Sequence, residues 1–246
     1  MAKISSIEGR ILYNSRGSKT IEVDVESDNK FVGRVCAPSG ASVGKFEAVS
    51  FPNENPEESL IILKNNSQKF IGLESSDLKG IHDVLKGLDG TTNYSVIGGG
   101  LAFAVTIASM ESAAKASGEP LFRTLSSESS FKFPFPIGNI LGGGAHAGPG
   151  TPDIQEILIC ATGSKTIEHA IETNLSVHKE LRRVLEKEDH NFTNGRGDEG
   201  GWAPKLENQK ALEISAKACE NLGFTLGKEV SLGVDFASST QWNEEK

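Results

Sequence analysis

The sequence predicts an α+β domain followed by the opening segment of a barrel. Short alternating strands come first and amphipathic helices follow them, which is typical of an α+β domain. Beyond a polar stretch at Ser126–Ser130 the apolar runs become longer, in the order β-β-α-α-β. Three strands cannot close a barrel, so this part is only its beginning. We therefore predict domains at residues 1–125 and 126–246.

The first domain opens with a predicted three-stranded antiparallel meander. Ile21, Val23 and Val25 alternate with acidic residues, and this period of two indicates a half-buried strand. Asp28 and Asn29 supply a turn into a returning strand, and residues 4–12 add the first strand.

Two helices are predicted to complete this domain. The first has Leu78, Ile81, Leu85 and Leu88 on one face, with Ser76 or Asp77 as its N-cap. The second covers residues 101–116, is rich in Ala and stops at residues 118–120 (GEP).

The second domain begins with apolar runs at residues 133–140 and 154–161, expected of strands buried on both faces. Residues 230–236 predict a third buried strand. Between them lie two predicted helices. Their inward-facing residues are expected to be Ile167, Ile171, Leu175, Leu181 and Leu185 in one helix, and Ala211, Ile214, Ala218 and Leu222 in the other.

Composition excludes several classes of function. A net charge of -8 argues against nucleic-acid binding, which needs clustered Lys and Arg. Cys36, Cys160 and Cys219 are too sparse for a disulfide framework or zinc site, and we expect buried, reduced thiols in a cytoplasmic protein. The N-terminus lacks a signal-peptide core, and residues 96–110 are shorter than the about 20 residues of a membrane span.

Two glycine-containing loops are candidate ligand sites. Residues 38–44 (PSGASVG) follow a strand and offer hydroxyl groups, although this segment taken alone is better explained as an ordinary connection. Residues 139–148 (NILGGGAHAG) place His146 in a run of glycines that lets a backbone approach a ligand. Tight turns are the alternative, because they also need glycine.

Carboxylates mark three further positions. Gln155 and Glu156 head a buried strand, where charge is costly unless it is used or paired in a salt bridge. Residues 197–204 (GDEGGWAP) suit neither helix nor strand and indicate a fixed loop that presents acids. Asp235 ends an apolar strand, as barrel site residues do, and is a good ligand for a hard cation or else a helix cap.

Taken in order, these segments resemble the enolase family, and the resemblance spans the whole chain. The matching motifs are SRG at residues 15–17, PSGAS at 38–42, LDGT at 88–91, the glycine segment at 139–148, QE at 155–156, GDEGG at 197–201 and VD at 234–235. The glycine segment is similar to the archaeal type. Trp202 stands where Phe is common in the family.

The resemblance implies an enolase-type (β/α)8 barrel and a magnesium-dependent dehydration of 2-phosphoglycerate to phosphoenolpyruvate. It implies that Glu199 is the general acid that protonates the departing 3-hydroxyl. Glu156, His146 and Gln155 would line the substrate, while Asp235 and Ser39 would be ligands of two Mg²⁺ ions. Like charge raises the pKa of a glutamate, which favours the acid role.

The resemblance also implies what this sequence lacks: the base lysine, two further metal carboxylates and the phosphate-binding residues. We therefore expect this chain to be inactive and poorly soluble by itself. For the full-length protein we expect a small-molecule substrate, no nucleic-acid partner, and a homodimer or larger assembly. The alternative is a short, non-catalytic paralogue that binds a partner; a mandelate-racemase-like enzyme fits these motifs poorly.

Overall fold

The computed structural model describes residues 2–40, 42–126 and 128–242. Contacts between Cα atoms divide the chain into two units, residues 1–40 with 45–130, and residues 41–44 with 131–246. Each unit has a sheet, helices and a hydrophobic core of its own.

The sheet of the first unit is the predicted antiparallel meander. Its strands are β1 (Ile4–Tyr13), β2 (Lys19–Ser27) and β3 (Phe31–Cys36), in that spatial order. On the central strand Ile21, Val23 and Val25 are fully buried, as their alternation predicts. Asp28 and Asn29 both have positive φ, which lets the chain reverse between β2 and β3.

Four helices accompany this sheet: α1 (Pro56–Asn66), α2 (Leu78–Asp89), α3 (Gly99–Ser117) and the short α4 (Leu121–Thr124). The Asp77 side chain caps α2 by accepting from the backbone N–H of Gly80 at 2.9 Å, as predicted. The sequence analysis did not predict helix α1. Its start nevertheless carries a recognisable sequence signal: Asn55 is the N-cap and accepts from the N–H of Glu57, and Pro56 occupies the first turn.

Helix α3 packs closely on the sheet of the first unit. A Cβ atom at Gly33 on β3 would lie 1.9 Å from the carbonyl oxygen of Ala108, so only glycine permits this approach. Ala104, Val105 and Ala108 are fully buried along the helix. The small residues of α3 therefore set the spacing between helix and sheet.

The second unit has the predicted β-β-α-α-β order, with one extra helical turn. Its elements are β4 (Ile137–Gly142), α5 (Gly144–Ala147), β5 (Glu156–Cys160), α6 (Ile167–Glu188), α7 (Asn208–Asn221) and β6 (Ser231–Asp235). Strand β5 is central and antiparallel to both neighbours, so β4 and β6 run in the same direction. The three strands form an open sheet, as expected for part of a barrel.

Two of the predicted strands of this unit need correction. The first begins at Ile137 rather than at residue 133, and Phe133 is 82% exposed. Pro134 and Pro136 have no N–H for a strand ladder, which explains the late start. Strand β6 is not buried on both faces: Val234 is 39% exposed, and Phe236, just after the strand, is 56% exposed. Among the described elements only β5 packs closely against β6, so its faces are left uncovered.

The buried face of α6 also differs from the prediction. Ile171 and Leu175 are 45% and 52% exposed. The helix instead buries a face rotated by about one residue, which includes Ala170, Thr173, Asn174, Val177, Leu181, Val184 and Leu185. In α7, Ala211, Ile214 and Ala218 are buried as predicted, but Leu222 lies beyond the last helical residue and is partly exposed.

The expectation of buried thiols holds for one cysteine. Cys219 is buried, and desolvation raises the pKa of its thiol to about 11. Cys36 is exposed on the outer face of β3, and Cys160 is partly buried. Among the helices of the described residues, none is long and apolar enough to span a bilayer.

Candidate active site

The turn after β4 positions His146. The N–H of Gly143 donates to the carbonyl oxygen of Gln155 at 2.9 Å, and the N–H of Gly144 donates to that of Pro152 at 2.7 Å. A Cβ atom at Gly143 would lie 2.1 Å from the Pro152 oxygen. These glycines therefore serve the close approach of two backbone segments, and the imidazole of His146 is buried as a result.

The acidic loop, residues 197–202, is fixed by backbone hydrogen bonds. The N–H of Gly197 donates to Gly201 O at 2.8 Å, and that of Asp198 donates to the carbonyl of His146 at 3.0 Å. A Cβ atom at Gly201 would lie within 2.3 Å of Oδ1 of Asn139. Glu199, at the tip of this loop, is exposed.

His146, Glu156 and Glu199 form one cluster. Nδ1 of His146 lies 3.3 Å from Oε1 of Glu156, although without hydrogen-bond geometry. One ligand atom from each residue falls within 4.8 Å of the other two. The end of β4, the start of β5 and the acidic loop thus bring together three residues that are as far as 53 positions apart, 146 to 199.

The environment of Glu156 favours its protonated form. The pKa of Glu156 is raised to about 7 by burial, the largest cause, together with a hydrogen bond with Glu199, the charge of Glu199 and the charge of Asp235. The Glu156 carboxyl can therefore hold a proton near neutral pH, next to the side chain of Glu199.

Gln155 and Asp235 lie beside this cluster. The Gln155 side chain is buried, and its Nε2 donates to Oγ of Ser42 at 3.2 Å. Asp235 is the register partner of Glu156 across β5 and β6. Its Oδ1 accepts from the N–H of Ala237 at 2.9 Å, which closes a local turn. The short 3-10 helix that follows has no side-chain cap, so the helix-cap alternative does not describe Asp235.

Ser39 belongs to the first unit. Its hydroxyl accepts from Nδ2 of Asn14 at 3.4 Å, and its carbonyl oxygen accepts from Nη1 of Arg16 at 2.8 Å. Two of the quoted motifs, at residues 15–17 and 38–42, are thus neighbours in the structure.

Comparison with known proteins places both units in one family. The enolase N-terminal domain matches residues 4–125, and the enolase C-terminal TIM barrel domain matches residues 130–246. The chain belongs to the enolase family.

Enolases of several archaea are similar to this chain over almost all of its length. The enolase of Methanosphaera stadtmanae is 43% identical over 244 residues, which cover 99% of this chain and 59% of the relative. The enolase of Methanothermobacter thermautotrophicus is 43% identical and that of Methanocorpusculum labreanum 39%, with 58% and 60% of those proteins covered. The chain thus spans about three fifths of the length of these enolases.

The donor atoms of this site fit the divalent cation that the enolase family implies. Asp235 lies at the strand end beside Glu156, and carboxylate oxygens are the ligands that Mg²⁺ prefers. Oε1 of Gln155 and Nδ1 of His146 are buried without a hydrogen-bond partner among the described residues. Buried polar atoms need partners, so these two atoms are suited to receive a bound ligand.

Two residues beside the acidic loop escaped the sequence analysis. Both amide atoms of Asn139 are buried and unpartnered among the described residues, next to Gly201. His178 contacts the acidic loop from α6, with Nε2 3.1 Å from Gly200 O. Asn139 lies within a motif that was noted for its glycines. Nothing in the local pattern of α6 points to His178.

Proposed function

We propose that this chain contributes the general acid and the residues around it to an enolase active site, which catalyses the reversible dehydration of 2-phosphoglycerate to phosphoenolpyruvate. The observation that carries the proposal is the cluster of Glu156, Glu199 and His146, in which the pKa of Glu156 is raised to about 7. Hydroxide is a poor leaving group, so its departure needs a carboxylic acid that is still protonated near neutral pH.

In this reaction the proton on Glu199 passes to the 3-hydroxyl oxygen as the carbon–oxygen bond breaks, and water leaves. Glu156 and His146 lie around that hydroxyl, and their proximity keeps a proton available to the acidic loop. Gln155 contacts the substrate. A base supplied by the remainder of the enzyme takes the proton from the carbon next to the carboxylate.

Asp235 and Ser39 would hold Mg²⁺. A bound ion would supply positive charge to offset the negative charge that develops on the substrate when the proton leaves carbon. Asp235 fits this role because it ends a strand beside the carboxyl cluster. Ser39 is assigned from its place in the PSGAS motif.

The 246-residue chain is proposed to be inactive by itself, because the base lysine and two metal carboxylates of the family have no counterpart in it. A lone carboxylate from Asp235 would hold Mg²⁺ weakly, since this ion dehydrates reluctantly. The full enzyme is proposed to be cytoplasmic and to act as a homodimer or larger assembly.

Assembly of the missing part tests the proposal. The 246-residue chain and a longer chain, completed in cis with the remaining barrel, are each given 2-phosphoglycerate and Mg²⁺. Ultraviolet absorbance of phosphoenolpyruvate should grow only with the longer chain. An inactive but folded longer chain would overturn the proposed function, and turnover by the 246-residue chain would overturn its inactivity.

A further inference from the structure

His178 connects helix α6 to the acidic loop. Its Nε2 lies 3.1 Å from the carbonyl oxygen of Gly200, the residue that follows Glu199. A carbonyl oxygen can only accept, so this contact requires the tautomer that carries hydrogen on Nε2. The imidazole therefore acts as a donor to the backbone beside the proposed general acid.

The same residue holds the loop at a second point. Nε1 of Trp202 donates to the backbone oxygen of His178 at 2.8 Å. The two rings stack with centroids 4.7 Å apart and planes 24° apart. Side chain and backbone of His178 thus contact the residues on both sides of Gly201.

The loop needs such contacts because its backbone is intrinsically free. Three of residues 197–201 are glycines, and Gly200 has a φ of +82°. Glycine loses more conformational entropy on ordering than any other residue. Glu199 is exposed at the tip, so little packing of its own side chain opposes movement. The hydrogen bond to Gly200 lies one residue from the carboxyl that must stay in place.

Positive charge surrounds the imidazole. A cavity of about 610 Å³ is lined by His178, Trp202, Leu175, Lys179, Arg182, Arg183, Glu186 and Arg196. The guanidinium of Arg196 lies 4.5 Å from the Trp202 ring centroid, and Arg182 pairs with the one carboxylate of this lining, Glu186. Burial lowers the pKa of His178; the hydrogen bond with Gly200 opposes this effect, and the charge of Arg196 adds a smaller lowering. The net lowering of the pKa favours the neutral ring near pH 7.

We propose that His178 is a positioning residue that holds the acidic loop, by donating from Nε2 to Gly200 O and stacking on Trp202, so that Glu199 stays against Glu156. The consequence for catalysis rests on the proposed function. The holding of the acidic loop by His178 does not rest on the proposed function, because it concerns only contacts between α6 and the loop.

Two substitutions separate the two contacts. His178→Gln keeps an N–H donor at a similar reach but removes the stacked ring, whereas His178→Phe keeps the ring and removes the donor. His190, exposed after α6, provides the matched control as His190→Gln.

Amide hydrogen exchange over residues 196–203 of the 246-residue chain is the first measurement. Loss of one hydrogen bond should speed exchange about fivefold to tenfold in His178→Phe. His178→Gln should stay closer to the parent, and His190→Gln should equal it. Equal exchange in His178→Phe and the parent, or equal loss in both His178 variants, would overturn the proposal.

The tautomer of His178 can be measured without any variant at this position, so this test does not depend on whether the His178 variants fold. Nitrogen-15 NMR of the imidazoles should show the Nε2–H tautomer for His178 near pH 7.5, and the Nδ1–H tautomer would overturn the proposal. Trp202 can be followed alone after Trp242→Phe, since the protein has two tryptophans. As the pH is lowered, the fluorescence emission of Trp202 should change in one step when His178 takes up a proton. This step should be absent in His178→Gln.

Turnover in the completed enzyme tests the catalytic consequence. His178→Phe should lower kcat more than it changes KM, and His178→Gln should recover part of the loss. If the exchange and tautomer results hold but the completed parent enzyme has no lyase activity, the proposed function fails and the positioning role stands. Unchanged kcat in His178→Phe would remove the catalytic role alone.

Discussion

Glu156 and Asp235 face each other across the β5–β6 ladder, at the point where the chain also brings Glu199 and His146 close. Strand pairing thus holds two carboxylates side by side, although like charges repel. The pKa of Glu156 is raised to about 7, first by burial, then by the hydrogen bond and charge of Glu199, and least by the charge of Asp235. Four experiments follow from this arrangement and from the backbone around it.

The stability of the second unit should depend on pH through Glu156. Its folded pKa, about 7, lies above the unfolded value of about 4.3, so the native state binds a proton more tightly. This contribution is complete below the unfolded pKa and is lost as pH rises through about 7. Glu156→Gln removes the dependence and should stabilise the chain by on the order of 1–2 kcal/mol at pH 9, after allowance for solvent screening.

Urea unfolding at pH 5 and pH 9 measures this difference. Glu213→Gln, at an exposed position of α7, is the control and should leave the free energy of unfolding unchanged at both pH values. An equal effect of Glu156→Gln at both pH values would contradict the shifted pKa.

Gly143 should tolerate no side chain. A Cβ atom there would lie 2.1 Å from Pro152 O and 2.5 Å from Ile154 O, and both are backbone atoms that cannot turn aside. We expect Gly143→Ala to destabilise the second unit by about 2 kcal/mol or more. Gly233→Ala is the matched control, because the nearest atom to its Cβ would be an ordinary 3.8 Å away. Thermal unfolding of both variants decides the point, and a harmless Gly143→Ala would refute the close approach.

Glu199→Gln should abolish dehydration in the completed enzyme while the fold and Mg²⁺ binding remain. The amide has no acidic proton to give to the departing hydroxide. Turnover, circular dichroism and Mg²⁺ titration together measure the outcome, with Glu213→Gln again as control. Near-normal turnover in Glu199→Gln would take the acid role away from this residue.

The edge strand β6 should promote self-association of the 246-residue chain. Val234 and Phe236 are exposed there, and an unpaired edge next to apolar side chains is a site for strand addition. Val234→Lys places a charge on this edge and should raise the soluble monomer fraction in light scattering. Ile61→Lys, at an equally apolar exposed position of α1, is the control. Equal improvement by both variants would show that β6 has no special part in association.

Local sequence patterns were sufficient for much of the fold. The alternation of Ile21, Val23 and Val25 predicts β2, and Asp77 predicts the start of α2, because both depend on neighbours within a few residues. The same patterns failed at Ile171 and Leu175. The chain leaves these apolar residues exposed, since the rotation of α6 is set by what it packs against and not by its own composition.

The candidate site divides in the same way. The sequence by itself determined its residue types, because the GDEGG and GGGAH segments are recognisable without coordinates, and those segments contain Glu199 and His146. Only the tertiary structure decided that Glu156 is buried next to Glu199, with a raised pKa, and that His178 contacts Gly200. Burial and charge act through distances in space, and residues far apart in the chain approach one another only after strands have paired and helices have packed.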